Sequence, residues 1–334
     1  MKQNQHIYRK PKHRKRKVKK SIILLLVVLQ LVLSSFVSCM LVFHGPFTNL
    51  RRIFVGTAMS SYKHQYFAKF FLSDEEIAKI LAVDTVNVKQ KASAVSIKNY
   101  NDSDIDEYQI NGSKFKGTLL IVKNPLRVKV GYSNKLTIQG ETTSGMAKDH
   151  NAVAAINGGG FTDKSTSGNL WTGTGAYPTC FLMSGGKMIF QDYLPNKKTD
   201  VVAFDKTGLL IVGSHSINDL KKMKVLDAFT FGPALVVNGK AAFHGDGGQG
   251  ITARTAIGQK SDGSILLLVL DGRRLNMPGA TLHDVQKIML DYGAYNASNL
   301  DGGSSTTMYY KGSVINDPCN PLGERSVATS IYVK

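Results

Sequence analysis

SILLLVLDGRRLNMPGATLHDVQKIMLDYGAYNASNLDGGSST, residues 264–306, is the stretch whose reading decides the fold. It opens on a short continuous apolar run ending at Asp271-Gly272, the mark of a buried strand. Thr281-Leu282-His283-Asp284 is a capping pattern. After it, Leu282, Val285, Ile288, Met289 and Tyr292 fall on one face at helical spacing, and Gly293 stands where a C′ glycine belongs. A second strand then ends at Asp301-Gly302-Gly303. Two strands joined by a helix form a βαβ unit, in which the strands are parallel and their carboxyl ends share one sheet edge. Ligands of open α/β sheets bind at that edge. The pattern therefore predicts Asp271 and Asp301 as neighbours, ~5–10 Å apart if their strands are adjacent.

Two acids at that spacing cover the geometries of carboxylate-pair glycosidases. The plain alternative is that each Asp only caps its own Asp-Gly turn. A third strand-like run, VAAIN, ends at Asn157 before Gly158-Gly159-Gly160. Asn157 is a candidate to bond a sugar hydroxyl, or simply a left-handed turn residue. In TARTAIGQ-KSDG-SILLLVLD, a tight turn over 260–263 sets Gln259 opposite Ser264. That register places Arg254 opposite Val269 and diagonal to Asp271, on one face. Arginine there is either a bidentate phosphate binder or half of a buried ion pair. Asp301-Gly302-Gly303-Ser304-Ser305-Thr-Thr combines mobile glycines, exposed N–H groups and hydroxyls, as a phosphate cradle does, although a flexible turn has the same composition. GGGFTDKS lacks the glycine before lysine that a Walker loop needs, no Gly-x-Ser-x-Gly elbow is present, and the histidines have no metal-ligand spacing.

Working outward, strand-like runs recur from Ile105 onward, including YQI-NG-SKFKGTLLIV with its hairpin signal at Asn111-Gly112. The expected architecture is α+β, a mixed β-sheet domain with flanking helices over residues 105–334. Residues 158–200 are glycine-rich and read as a long functional loop. Upstream, residues 44–104 read as a helical stalk and linker, with a short capped helix starting at Ser73-Asp74-Glu75-Glu76. Residues 21–43 carry no formal charge and are long enough to span a bilayer as a transmembrane helix. Residues 1–20 hold ten Lys or Arg and no acid, leaving 32 bases against 24 acids elsewhere. Bases packed against one end of a span keep that end cytoplasmic. The expectation is a signal-anchored, single-pass protein with its folded domain extracytoplasmic and the lipid bilayer as a partner. Positive-inside topology accounts for the tail, so no nucleic-acid partner is expected. The apolar run is long and no A-x-A-like site closes it, which disfavours a cleaved signal. Cys180 and Cys319 could form a bridge in an oxidising compartment. The sequence does not indicate an oligomeric state.

Taken together and in order, AAINGGGF, FGPALVVNG, ARTAIG, DGSILLLVLDGR, the capped helix and NLDGGSSTTMYYKGSVIN resemble the phosphodiester glycosidase family, from about Ile105 to Lys334. Family members typically read NLDGGGSSTM where this chain has NLDGGSSTTM. The resemblance implies hydrolysis of the bond between a sugar anomeric carbon and a phosphodiester, GlcNAc-1-phosphodiester-like, in cell-surface or exopolysaccharide metabolism. It carries catalytic roles onto Asp271, Asp301 and Arg254. Substrate-binding roles fall on Asn157, Gly158, Gly159, Arg273, Gly302, Gly303, Ser304, Ser305 and Arg325. No cofactor is expected. Two rivals follow from the same residues. One is a surface glycan-binding module without turnover, and the other a metal-dependent phosphodiesterase with Asp271 and Asp301 as Mg²⁺ or Ca²⁺ ligands.

Overall fold

The computed structural model describes residues 20–60, 64–86, 90–91, 94–163 and 173–334, so nearly all of the basic tail lies outside the described residues. Two compact units result, Met1–Arg51 and Arg52–Lys334. The first holds the apolar helix Lys20–His44, long and apolar enough to cross a membrane.

Among the described residues the second unit is α+β, built from three larger antiparallel sheets, two two-stranded ones and short helices. In the seven-stranded sheet the order is Lys240–Ala241, Ala234–Val237, Ala294–Leu300, Arg254–Lys260, Ile265–Leu270, Lys116–Val122, Ile105–Asn111. Ile265–Leu270 is buried along its whole length because strands flank it on both sides and other layers cover both faces. A second sheet orders Ser313–Val314, Met308–Tyr310, Ala154–Asn157, Thr329–Val333 and Val128–Tyr132. A third orders Leu210–His215, Thr199–Asp205, Val225–Thr230, Phe181–Ser184 and Lys187–Gln191. One continuous core joins them, with Leu119, Leu268 and Leu300 from the large sheet, Ile156 and Ile331 from the second, and Val202, Leu210 and Phe229 from the third. The third sheet occupies the end of the region read as a loop: Phe181–Ser184, Lys187–Gln191 and the start of Thr199–Asp205 all lie within 158–200. Residues 164–172 of that region lie outside the described residues.

The central helix runs over Leu282–Asp291 with the expected capping box, Thr281 Oγ1 accepting from Asp284 N and Asp284 Oδ2 accepting from Thr281 N. Its flanking strands are parallel, as a βαβ unit demands, yet they are not adjacent. Arg254–Lys260 lies between them, antiparallel to both. A hairpin explains the difference. Lys260 and Ser264 close a three-residue loop with Gly263 in the left-handed region (φ +96°), which delivers the preceding strand into the slot. That loop is one residue shorter than the predicted turn, so Gln259 pairs with Ile265 and Arg254 faces Leu270, not Val269. The first hairpin likewise exists but turns over four residues, 112–115, with Asn111 opposite Lys116.

The segment expected to be a stalk and linker instead packs on the folded unit from Arg52 onward. Arg52 Nε donates to Asp246 Oδ1 at 2.5 Å, and its other nitrogens donate to Ile80 O and Ala82 O. Asp84–Thr85 pairs with Phe243–His244, Gln90 bonds Leu210 O and Val212 N, and Ser96 N donates to Ser261 O. The capped helix is present as Asp74–Leu81, with Ile77 buried.

Candidate active site

Where the Ala294–Leu300 strand ends and the Arg254–Lys260 strand begins, a cavity of about 560 Å³ opens. Thr255 lies opposite Leu300, so Asp301 follows at the position facing Arg254. Directly opposed residues of an antiparallel pair project to one face. Asp301 and Arg254 accordingly both line the cavity, together with Gly302, Gly303 and Arg273.

Asp301 is held by its backbone. Asn157 Nδ2 donates to Asp301 O at 2.6 Å, and Asp301 N donates to Gly158 O at 3.2 Å. Asn157 Oδ1 in turn accepts from Thr255 Oγ1 at 2.8 Å and from Thr307 N at 3.1 Å. A completely buried Asn157 thus ties the second sheet to the large one beneath the acid. Burial pushes the Asp301 carboxyl up to about 6; the Ser305 hydroxyl, Arg325, Arg273 and the Gly302 N–H oppose the shift without cancelling it.

Three arginines surround this acid and differ in their free donors. Arg254 is buried, and desolvation followed by the nearby Arg273 charge lowers it to about 9. It donates to Ala280 O, Gln249 Oε1, Gln249 O and Gly250 O, which occupies four of its five N–H groups. The predicted bidentate fork at Arg254 is therefore already committed to the protein, and Arg254 acts as a fixed buried charge. Arg273 has a left-handed backbone (φ +59°) and a single side-chain bond among the described residues, Nε to Thr252 Oγ1 at 2.8 Å. Its terminal nitrogens lie against Gly303, where a Cβ would come within 2.5 Å of Nη2; a residue with φ +61° at that contact has to be glycine. Arg325 ion-pairs with Asp163, donates to Ser304 Oγ at 3.2 Å and stacks over Phe161 at 4.9 Å. Of the two arginines that line the cavity, Arg273 is the one with fewer side-chain bonds among the described residues, one against four for Arg254.

Several predicted site residues stand behind the cavity, not on it. Asp271 accepts from Asn316 Nδ2 at 2.9 Å and Asp317 N at 3.2 Å, and Asn316 also bonds Thr306 O and Met308 N. It braces the loop after Asp301 and is absent from the cavity lining. One strand lies between the two acids where the sequence predicts adjacent strands, and of the two only Asp301 lines the cavity. Asn157, Gly158, Gly159, Ser304, Ser305 and Arg325 likewise sit outside the lining, and the glycine run contributes Gly160 instead. Cys180 and Cys319 are both free thiols; Cys180 lines the cavity and Cys319 Sγ donates to Gly303 O. Among the described residues no group of three or more His, Cys, Asp or Glu side chains is placed to hold a metal ion.

The cavity has a second carboxylate that the sequence reading missed. Asp200, near the start of the Thr199–Asp205 strand, lines the wall beside Gly232 and Pro233, and burial raises its pKa against the pull of His215. Asn299, two residues before Asp301 and on the same strand face, donates to Gly232 O at 3.0 Å and joins the two acids' surroundings. The period-two offset from Asp301 could have found Asn299. No local pattern marks Asp200, because its position depends on how the third sheet docks.

Residues 150–334 match the phosphodiester glycosidase family, and the chain belongs to it. Among curated relatives, the SPbeta prophage-derived uncharacterized protein YomE of Bacillus subtilis is 29% identical over 210 residues, 59% of this chain and 30% of that one. Bovine N-acetylglucosamine-1-phosphodiester alpha-N-acetylglucosaminidase is 37% identical over 68 residues, 20% of this chain and 13% of that one. The chain thus spans less than a third of either relative's length. Among solved structures, the catalytic domain of the zebrafish enzyme of that name, auto-inhibited by its pro-peptide, superposes with a TM-score of 0.59. That likeness covers 78% of this chain and 93% of that one at 21% identity, and it shows a shared fold.

Proposed function

We propose that this protein hydrolyses the bond between a sugar anomeric carbon and a phosphodiester, a GlcNAc-1-phosphodiester-like substrate, at the face of a membrane that its apolar helix spans. The observation that carries the reading is Asp301, a carboxyl with a pKa of about 6 in a roomy cavity beside Arg273, whose guanidinium makes one side-chain bond among the described residues. In this mechanism Arg273 binds the phosphodiester oxygens through its terminal nitrogens, with the buried Arg254 charge reinforcing the field. Positive charge develops at the anomeric carbon as its bond to the phosphate oxygen breaks. Ionised Asp301 stabilises that charge or takes a proton from the attacking water. Water supplies the new oxygen on the sugar, and the leaving group departs as a phosphate monoester that needs no strong acid. Asp200 is the second carboxylate of the cavity lining, and Asn157 and Asp271 are positioning residues.

Product analysis tests this. The purified chain is incubated with the methyl diester of GlcNAc-1-phosphate, and the expected products are free GlcNAc and methyl phosphate. Release of GlcNAc-1-phosphate would identify a phosphodiesterase instead. Saturable binding with no product would leave a glycan-binding module.

A further inference from the structure

The segment between the apolar helix and the first strand of the large sheet has no part in the family match, which starts at residue 150. It nonetheless supplies Gly56, Met59, Ser60 and Leu81 to the cavity lining. We propose that this segment is a permanent wall of the substrate cavity, with Met59 and Leu81 contacting the alcohol that the phosphodiester carries. The inference rests on the phosphodiester glycosidase reading above.

Three contacts show that the segment is built into the site. Gly56 in the helix Thr48–Met59 lies so close to the 248–250 turn that a Cβ would come within 2.6 Å of Gly250 N and 3.0 Å of Gly248 O. Thr57 Oγ1 accepts from Ile251 N at 3.2 Å. Arg52, paired with Asp246 and capping Ile80 O and Ala82 O, fixes the helix, the turn and the end of Asp74–Leu81 to one another. The turn so clamped is the one whose Gln249 and Gly250 carbonyls hold the Arg254 guanidinium. The segment therefore positions the buried arginine as well as closing the cavity.

The division of the walls indicates what meets Met59. Asp200, Asn299 and Thr230, with the flat rings of Phe161 and Phe231, line the parts contributed by the sheets and suit a pyranose with its hydroxyls. Met59 and Leu81 present aliphatic surface without a charged group, and an unbranched thioether adapts its shape to varied partners. An aliphatic, adaptable wall fits the esterified alcohol better than the sugar.

The test uses the full chain in detergent with two substrates, the methyl and the octyl diesters of GlcNAc-1-phosphate. Met59→Trp fills the space and should lower kcat/KM for the octyl ester at least tenfold more than for the methyl ester. Met59→Ala removes the aliphatic contact and should lower the octyl-to-methyl ratio at least threefold, a readout that a merely structural residue would not move. Arg52→Ala releases the clamp and should lower kcat/KM for both esters at least fivefold. Unchanged ester preference in both Met59 variants would overturn the proposal, as would a rise in activity in Arg52→Ala, the signature of a removable inhibitory strap. If the wild-type chain cleaves neither ester, the glycosidase reading fails by itself. Octyl-ester binding, measured by calorimetry, then decides the wall: its loss in Met59→Trp supports it, and unchanged affinity overturns it.

Discussion

Asp301 combines two properties that pull against each other, a half-buried, desolvated carboxyl and the charges of Arg325 and Arg273 within electrostatic reach, and desolvation prevails. Its pKa stands at about 6 against an ordinary 3.8, so the native state holds this proton more tightly than the unfolded chain does. Protonation then favours folding: the contribution is fully present below pH 3.8 and is lost as the pH rises through about 6. Asp301→Asn keeps the shape and removes the buried charge. The variant should melt above wild type at pH 8, by up to ~3 kcal/mol, with the gap closing by pH 4. Thermal melts across that range check it, and a pH-independent difference would mean another group titrates. In catalysis the sign reverses. Because the ionised acid acts, kcat/KM should fall as the pH drops through about 6, and Asp301→Asn should lose ~10²-fold or more in kcat with little change in KM. Arg273→Lys should instead raise KM for the diester, since an ammonium cannot reproduce the planar fork. A variant with normal KM would send the anion back to Arg254.

The elements of the fold were legible in the sequence wherever a local pattern fixes them. The capping boxes at Ser73 and Thr281, the apolar face of Leu282–Asp291 and the Asp-Gly strand ends all lie within a few residues of their cause. What the sequence did not reveal is long-range. The Arg254–Lys260 strand, whose pairing with Ile265–Leu270 is local, also pairs with Ala294–Leu300 along its other edge and so lies between Asp271 and Asp301, and no local signal separates an adjacent βαβ pair from one with an antiparallel strand between. Asn157 illustrates the same limit. Its position before a glycine run fits a surface hydrogen-bonding role, yet the second sheet docks it against Thr255, Thr307 and the Asp301 backbone. Asn157→Ala leaves the Thr255 hydroxyl, the Thr307 N–H and the Asp301 carbonyl without their partner in a dry interior. A loss of ~2–4 kcal/mol is expected, from ~1–3 kcal/mol per orphaned group with partial relaxation. Chemical denaturation measures it, and a loss below ~1 kcal/mol would show that water replaces the side chain.

At the scale of the whole molecule, the boundary between the apolar helix and the folded unit is the point at which sequence and structure part most. Composition places the folded domain at Ile105, because residues 44–104 are polar, basic and aromatic without strand periodicity. The compact unit nevertheless begins at Arg52, since that segment buries only scattered apolar residues such as Val55 and Ile77 and is also held by bonds to backbone carbonyls and an ion pair. Such contacts carry no hydropathy signature. A chain beginning at residue 105 should therefore melt below one beginning at residue 52, and calorimetry of the two fragments would show equal midpoints if the segment were merely a tether. The apolar helix sets the other expectation. Ten bases without an acid precede a 23-residue uncharged run, and moving that cluster across a bilayer is opposed by both desolvation and the positive-inside bias. The amino terminus should stay in the cytoplasm, and everything after His44 should face outward. Protease added to intact cells should then remove an epitope placed after Lys334 and spare one placed before Lys2. The reverse pattern would put the cavity on the cytoplasmic side, away from any cell-surface glycan, and would sink the proposed substrate class together with the topology.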